Sequence, residues 1–500
     1  MYLFNKDIST TPYLQAIDRN KWFILIVIAL SVLYVLPIIL ANTYYIDDMN
    51  RTVAGYNWDH DGRFVSSKLM NVLSFQSEVV YSLYPYSQMI STVLLSLSGF
   101  IICYTIGIRN KTLLIIGSLL LTTCPFLLEI LSYRFDCLPI SLSVLLVTIP
   151  FIFYNKKKWF VISSIICITM CLGLYQTSAM SYGTILCLFL IKDVWYANFK
   201  NAFFYVIIGA AAFLLAFLLY NYIVELLDLT IKSKKRGEFI FKDKNVRYLL
   251  HERFNSMLQL LKVLVSSSYR YVLYFLMFMS ALNVIVLFIK KRKEVVTIKF
   301  KFIIQLIVTV VLLLCVCVLT SGVNLFVYEP RWVPRGMIGW CVFIYLFYFT
   351  FTLYRVKKAV ILLSFIPFIY YSFLISSQLG LYLKNQDDFS DYIISLLSPK
   401  LLEYGELKLV IEGQNRPAFR NQTINENTMP IIYELAPIYE DNGWMWGVVR
   451  LNKFGSISST LVRGDERNSV ISQKSNMSVI QENKFYTLYI KQPYALVEFK

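Results

Sequence analysis

The sequence predicts an all-α polytopic membrane protein of about eleven transmembrane helices, followed by a small C-terminal α/β domain. Hydrophobic residues make up 57% of the 500 residues and charged residues only 16%. This composition excludes a soluble protein with a single core. The apolar residues lie in runs of about 20, which is the length that crosses the hydrocarbon core of a bilayer.

The first apolar run, Trp22–Leu40, is interpreted as a retained signal anchor, because it is long and ends in polar residues rather than at a small-residue cleavage site. The run from Trp159 to Ile191 is short for two crossings and predicts either two tilted helices or a re-entrant hairpin. The runs that supply the other crossings begin near Tyr86, Leu113, Leu138, Trp159, Gly183, Phe203, Tyr271, Phe302, Gly336 and Ala359.

The net charge of +17 is explained by sidedness and does not require nucleic acid as a partner. Lys and Arg accumulate on the side of a membrane that is not translocated. The basic clusters share one side if the N-terminus is cytoplasmic, and they are Arg109/Lys111, Lys156–Lys158, Lys192/Lys200, Lys290–Lys293 and Arg355–Lys358. We therefore expect a multi-pass membrane protein with a cytoplasmic N-terminus, and with the first loop (residues 43–85) and the C-terminal region on the opposite side of the membrane.

The predicted domains are residues 1–384, in the membrane, and residues 385–500, outside it. The segment Gly443–Val449 is either a buried short helix or an aromatic binding surface, and we favour the buried helix. Short apolar runs after residue 384 predict four strands, which are Leu407–Ile411, Pro430–Leu435, Phe485–Ile490 and Ala495–Phe499.

The first outer loop carries the strongest candidates for chemistry. Asp47 and Asp48 follow the first membrane helix directly, where carboxylates are costly unless they are solvated or paired. If the segment is helical, either carboxylate can meet Arg51 on one face, which is also what a surface ion pair would look like. Arg63 opens an amphipathic segment that predicts a helix lying in the membrane interface.

Further polar residues lie in the other predicted outer loops. The late loop before the last two membrane helices carries Arg331 and Arg335. Guanidinium groups bind phosphate through bidentate hydrogen bonds, and positive charge is disfavoured on the outer side of the membrane, so this loop is a candidate phosphate site. Headgroup contact is the alternative interpretation for those arginines. The segments Tyr133–Asp136 and Tyr175–Ser178 supply the ion pairs, hydroxyls and amides that a sugar-binding site uses, although each segment is a weak signal alone. The candidates are Arg134, Asp136, Tyr175, Gln176, Glu329, Arg331 and Arg335.

Several standard chemistries lack their motifs in this sequence. It contains no Walker loop, no His-Glu-x-x-His, no paired CxxC and no nucleophile elbow. With two His and nine Cys that lie in or beside apolar runs, no metal ligand set and no disulfide framework is predicted. No cofactor is firmly implied, and participation of a divalent cation is left open.

The order of three motifs resembles a known family. They are Asp47-Asp48-x-x-Arg51 with Gly62-Arg63, then Tyr133-Arg134-Phe135-Asp136-x-Leu138-Pro139, and then Leu174-Tyr175-Gln176. Together with the topology, over roughly residues 20–385, this order resembles the bacterial serotype-converting glucosyltransferases of O-antigen modification, the Gtr type.

The resemblance implies a GT-C-like membrane glycosyltransferase that moves glucose from undecaprenyl-phosphate glucose to a lipid-linked O-antigen repeat in the periplasm. Asp47 or Asp48 would be the base of an inverting displacement, and its neighbour would orient the acceptor or tune the base by like-charge repulsion. Arg51, Arg63, Arg331 and Arg335 would hold the departing phosphate. Membrane lipids, a companion flippase and a donor-synthesising enzyme are the further partners considered. A flippase or transporter of lipid-linked oligosaccharides and an O-antigen polymerase or ligase remain the alternatives.

Overall fold

The computed structural model describes residues 21–196, 198–229, 238–266, 268–292, 298–353, 356–421, 428–455 and 462–500. It is mostly helical with a small sheet near the C-terminus, which confirms the predicted helical class. Lys293 and Arg355 of the basic clusters lie outside the described residues. Helices precede the sheet as α1 Lys21–Ala41, α2 Asp48–Ala54, α3 Phe64–Ser74, α4 Tyr86–Ile106, α5 Lys111–Thr122, α6 Leu127–Ser132, α7 Cys137–Thr148, α8 Lys157–Leu174, α9 Met180–Trp195, α10 Phe199–Leu226, α11 Val246–Ser266, α12 Tyr269–Arg292, α13 Ile298–Leu319, α14 Ile338–Leu353 and α15 Lys358–Leu402.

Each of the predicted apolar runs contains a helix. Within the part of the chain that the structure describes, 7 helices are long and apolar enough to cross a membrane. The helices of the remaining runs are α5, α7, α9 and α13, whose apolar parts are shorter than these spans, as in residues Ile303–Leu319 of α13. The count of eleven crossings and the sidedness of the loops therefore stay predictions. The spans that qualify are Trp22–Ala41, Tyr86–Ile106, Lys157–Leu174, Phe199–Leu226, Tyr269–Val286, Pro334–Thr352 and Lys358–Leu402.

Small residues allow the membrane helices to approach closely. A Cβ at Gly99 of α4 would lie 2.6 Å from the backbone oxygen of Ser118 in α5. A Cβ at Gly339 of α14 would lie 2.6 Å from the Cα of Thr320, directly after α13. Because lipid is as apolar as a buried side chain, close packing of this kind replaces the hydrophobic effect as the force between helices.

The described chain divides into two compact units. The membrane unit comprises the described residues up to Leu36 together with Tyr56–Ser376. The C-terminal unit comprises Pro37–Gly55 and Ser377–Lys500. The acid-bearing start of the first loop, with α2, thus belongs to the same unit as the sheet, although more than three hundred residues separate them in sequence.

The C-terminal unit is built around a sheet in the order β1-β4-β3-β2, with β1 and β4 parallel and the other pairs antiparallel. Side chains alternate between its faces, as the strand period requires. Leu409 and Ile411 pack with the C-terminal part of α15, and Val410 packs on the opposite face with Val470. The strands and the remaining helices are β1 Lys408–Glu412, α16 Ile431–Leu435, α17 Met445–Leu451, α18 Gly464–Ser472, β2 Ser478–Glu482, β3 Tyr486–Lys491 and β4 Tyr494–Phe499.

Three of the four predicted strands are confirmed within a residue at each end, and one prediction is wrong. Pro430–Leu435 is a helical turn, α16, because Pro430 has a φ of −58° and a ψ of −21° that start a helix. The strand β2 is missing from the prediction, since its side chains are mostly exposed and give no apolar run. The segment around Gly443 forms the short helix α17 with Trp446 buried, as favoured from the sequence.

Candidate active site

The acidic motif of the first loop forms the start of α2. Asp47 precedes the helix and is half-buried, whereas Asp48 and Arg51 on the helix are 0% and 3% exposed. Residues three apart lie on one face of a helix, so the predicted arrangement of Asp48 and Arg51 is confirmed at the level of the backbone. The two acids differ in exposure, because Asp47 is partly exposed to solvent and Asp48 is buried.

Residues of the C-terminal unit fix the turn that leads into α2. The Tyr45 hydroxyl donates a hydrogen bond of 2.6 Å to the backbone oxygen of Leu435. The Ile46 amide donates to the Tyr439 hydroxyl at 3.3 Å, and that hydroxyl donates to the Tyr44 oxygen at 3.4 Å. Burial raises the pKa of the Tyr439 phenol, the Ile46 amide opposes the shift, and the nearby Asp48 charge adds to it. Tyr439 therefore stays protonated at neutral pH.

Next to this tyrosine, Glu440 is a carboxyl group only 1% exposed. Burial raises the pKa of Glu440 above its usual value, although the neighbouring Arg450 charge works against the shift. A raised pKa means that the folded state binds the proton more tightly than the unfolded state. The Glu440 contribution to stability is therefore most favourable at low pH and is lost as the pH rises through the folded-state pKa.

We expect Glu440→Gln to raise the melting temperature of the purified full-length protein at neutral pH, because the amide removes the cost of burying the charge. The gain should shrink as the pH falls toward the ordinary glutamate pKa of about 4.3. Melting curves across this pH range measure it, with the exposed Glu406→Gln as control. A lower melting temperature for Glu440→Gln at neutral pH would contradict a pKa of Glu440 that is raised by burial.

In the membrane unit, the Asp136 carboxylate contacts two residues of the first loop. Its Oδ1 accepts hydrogen bonds from the Trp58 indole at 2.8 Å and from the Arg63 guanidinium at 3.2 Å. Asp136 stands at the start of α7, where the helix dipole favours a negative charge. The Arg63 guanidinium also lies 4.8 Å from the centre of the Tyr175 ring. The Nε of Arg63 is buried and has no hydrogen-bond partner among the described residues.

A second ion pair in the same unit joins Glu129 and Arg335. The side chain of Glu129, on α6, is only 2% exposed, and its Oε1 lies 3.3 Å from a terminal nitrogen of Arg335. The Arg335 amide donates to the other carboxylate oxygen at 2.6 Å. The guanidinium lies 4.9 Å from the centre of the Tyr133 ring. The late loop is thus attached to α6 by both backbone and side chain.

Charges from both ion pairs affect the pKa of Tyr175. Burial raises the pKa of Tyr175 to about 12; the Arg63 charge opposes this shift, and the Glu129 and Asp136 charges reinforce it. A charge changes the pKa of another group in this way only where the two groups lie close together. The predicted residues Arg63, Asp136, Tyr175 and Arg335 therefore meet in one polar cluster, and Glu129 belongs to it.

Gln176 and Tyr220 hold the backbone of the two residues that precede Arg63 in the chain. The Gln176 amide nitrogen donates to the Asp61 oxygen at 2.9 Å and lies 3.1 Å from the Tyr220 hydroxyl. That hydroxyl donates to the Gly62 oxygen at 3.1 Å. Gly62 has a φ of +72°, and a Cβ there would lie 2.7 Å from the Tyr220 hydroxyl, so this position requires glycine.

The remaining predicted residues occupy nearby loops of the membrane unit. Arg134 is buried, with its guanidinium 4.3 Å from the centre of the Tyr84 ring. Glu329 and Arg331 are exposed. Asn324 fixes the backbone of Arg331 through hydrogen bonds of 2.9 and 3.2 Å. Over the residues that the structure describes, no group of three or more His, Cys, Asp or Glu side chains is arranged to hold a metal ion.

A family model described as glucosyl transferase GtrII matches residues 36–347. The chain belongs to this family. The matched range includes every candidate residue predicted from the sequence, from Asp47 to Arg335, and it ends before the sheet of the C-terminal unit. The resemblance to Gtr-type glucosyltransferases is thereby confirmed.

A curated relative comes from Salmonella phage P22 and is described as an uncharacterized 55.3 kDa protein in the gtrB 5' region. It is 27% identical over 179 residues, which cover 35% of this chain and 37% of the relative. No solved structure matches the chain.

Within the range matched by the GtrII family, sequence reasoning missed Trp58, Glu129 and Tyr220 as members of the polar cluster. Glu129 had a signal, because a lone carboxylate within an apolar segment is costly and calls for a partner. Trp58 and Tyr220 had none, since aromatic residues are common at membrane interfaces and act here only through partners distant in sequence.

Proposed function

We propose that this protein transfers a glucosyl residue from undecaprenyl-phosphate glucose to a lipid-linked O-antigen repeat on the periplasmic side of the bacterial inner membrane. Membership of the GtrII glucosyl transferase family carries the proposal. The apolar helices support a membrane-bound, lipid-linked substrate, and the polar cluster supplies carboxylate, guanidinium, phenol and amide groups suited to a sugar phosphate.

In the proposed reaction, an acceptor hydroxyl attacks the anomeric carbon of the donor glucose. The new glycosidic bond forms while the bond between that carbon and the phosphate oxygen breaks, and undecaprenyl phosphate leaves with the electron pair. A carboxylate takes the hydroxyl proton during the attack. A single displacement of this kind inverts the configuration of the anomeric carbon.

Asp47 is the proposed base. Its side chain is partly exposed and can meet a substrate hydroxyl, whereas Asp48 is completely buried beside Arg51. A general base must come within hydrogen-bonding distance of the proton that it removes. Asp48 and Arg51 are therefore assigned to holding the start of α2, which presents Asp47.

Arg63 and Arg335 are the proposed ligands of the donor phosphate. Each uses one terminal nitrogen for a carboxylate, Asp136 or Glu129. A guanidinium has five N–H donors in a rigid fork, so one such contact leaves donors for phosphate oxygens and fixes the direction of the fork. The other proposed substrate contacts are Arg134, Tyr175, Gln176, Glu329 and Arg331.

The proposal is tested in cells that synthesise undecaprenyl-phosphate glucose and an O-antigen. Expression of the wild-type chain should add glucose branches to the surface polysaccharide, and the branches should be missing when donor synthesis is deleted. Linkage analysis by mass spectrometry and NMR measures this outcome. An unchanged glycan with donor lipid accumulating on the periplasmic leaflet would indicate a transporter, and an altered chain length without branches would indicate a polymerase or ligase.

A further inference from the structure

The turn in front of the acidic helix has a strained backbone. Ile46, directly before Asp47, has a φ of +45°. For a β-branched residue this left-handed conformation is an outlier, since the branched side chain collides with the backbone. Such a conformation persists only where surrounding contacts hold it, and it is common at functional sites. The contacts around Ile46 therefore determine whether the turn exists.

Those contacts come from the region that follows the sheet-forming strand β1. Tyr45 is only 1% exposed, and its hydroxyl bonds to the Leu435 oxygen at 2.6 Å. The Tyr439 hydroxyl accepts from the Ile46 amide and donates to the Tyr44 oxygen. Three consecutive residues before the acids are thus bound to a segment about 390 residues later in the chain.

The segment that holds the turn is itself anchored. The helix α17 packs against α2, and its Arg450 forms ion pairs at 2.7 Å with the carboxylates of Asp387 and Asp391. The same guanidinium donates hydrogen bonds to the Asp387 backbone oxygen at 3.0 Å and to the Asp391 carboxylate at 2.7 Å. Lys453 adds a second contact to Asp391 at 2.7 Å. Asp387 and Asp391 both lie in the C-terminal part of α15. A network of charged hydrogen bonds at these distances gives α17 a fixed position.

We infer that Tyr45 and Tyr439 are positioning residues through which the C-terminal region holds the strained turn at Ile46 and so directs the Asp47 carboxylate. This inference rests on the proposed function, in which Asp47 is the base. It assigns a role in the reaction to a region beyond the range that the GtrII family model matches.

The inference is tested with purified full-length protein in proteoliposomes that contain undecaprenyl-phosphate glucose and a lipid-linked repeat. Tyr439→Phe keeps the ring, which lies 6.0 Å from Trp444, and removes only the hydroxyl. We expect kcat to fall about tenfold with little change in the KM for the donor, because one hydrogen bond that aligns the base is lost. Tyr45→Phe should act in the same direction.

A second substitution distinguishes positioning from general damage. Glycine adopts positive φ without a penalty, so Ile46→Gly should restore part of the kcat lost in Tyr439→Phe when the two are combined. The matched control is Tyr489→Phe, which removes a hydroxyl bonded to Glu498 within the sheet and should leave kcat unchanged. A kcat of Tyr439→Phe equal to wild type, or no restoration by Ile46→Gly, would overturn the inference while leaving the proposed function intact.

Hydrogen–deuterium exchange provides a readout that does not depend on activity. Peptides covering residues 43–52 should exchange faster in Tyr439→Phe than in wild type, and at the wild-type rate in Tyr489→Phe. Unchanged exchange in Tyr439→Phe overturns the inference whatever the activity. If the wild-type protein transfers no glucose, the proposed function fails, and the exchange data alone decide whether these tyrosines hold the turn.

Discussion

Replacing Asp47 by Asn is expected to lower kcat for glucosyl transfer by about 100- to 10,000-fold, the range that general-base catalysis supplies. The amide keeps the shape of the carboxylate but cannot take the proton of the acceptor hydroxyl. Because the Asp47 side chain is partly exposed, the variant should fold and accumulate like wild type. Turnover by the purified protein measures the effect.

Two comparisons make this result decisive. Glu78→Gln removes an exposed carboxylate from the same loop and should keep wild-type turnover. Asp48→Asn removes a carboxylate from the interior and should lower the yield of folded protein together with activity. Full turnover in Asp47→Asn would remove it as the base. Loss of turnover in Asp48→Asn at normal yield would reverse the two roles.

The second large effect is expected at the buried ion pair of the membrane unit. Arg335→Gln leaves the Glu129 carboxylate, whose side chain is 2% exposed, without its guanidinium. Breaking one side of a buried pair typically costs about 3–5 kcal/mol of the free energy of unfolding. Glu129→Gln should cost less, because the side chain of Arg335 is 16% exposed and keeps contact with water.

A double-mutant cycle tests this asymmetry. The combined variant Glu129→Gln/Arg335→Gln should be more stable than Arg335→Gln alone, since no unpaired charge remains buried. Thermal unfolding of the four proteins in one detergent gives the coupling energy. Additive losses of stability would contradict a direct pair and would leave Glu129 outside the polar cluster.

The fold was predictable from the sequence where one local signal dominates. Apolar runs located the 7 helices that, among the described residues, are long and apolar enough to cross a membrane, and short apolar runs located the strands with buried faces, such as β3 and β4. The prediction for Pro430–Leu435 is wrong because a mostly apolar stretch of six residues fits a strand or a short helix equally well. The exposed strand β2 had no apolar signal to detect.

The candidate site was predictable only in its separate parts. The sequence indicated Asp47, Arg63, Asp136 and Arg335, because charges beside membrane helices are costly and need a reason. The sequence did not indicate which of these side chains contact each other. Asp136 bonds to Trp58, 78 positions earlier. The partner of Arg335 is Glu129, 206 positions away. Such pairings follow from helix packing, which no local pattern of residues encodes.

The transfer itself is the central claim, and one measurement tests it most directly. The purified protein is reconstituted with undecaprenyl-phosphate glucose that is radiolabelled in the sugar, together with a lipid-linked O-antigen repeat. We predict that the label moves to the repeat in a glycosidic linkage of inverted configuration, with release of undecaprenyl phosphate. Label that remains on the donor lipid, with or without its movement across the bilayer, would contradict the account.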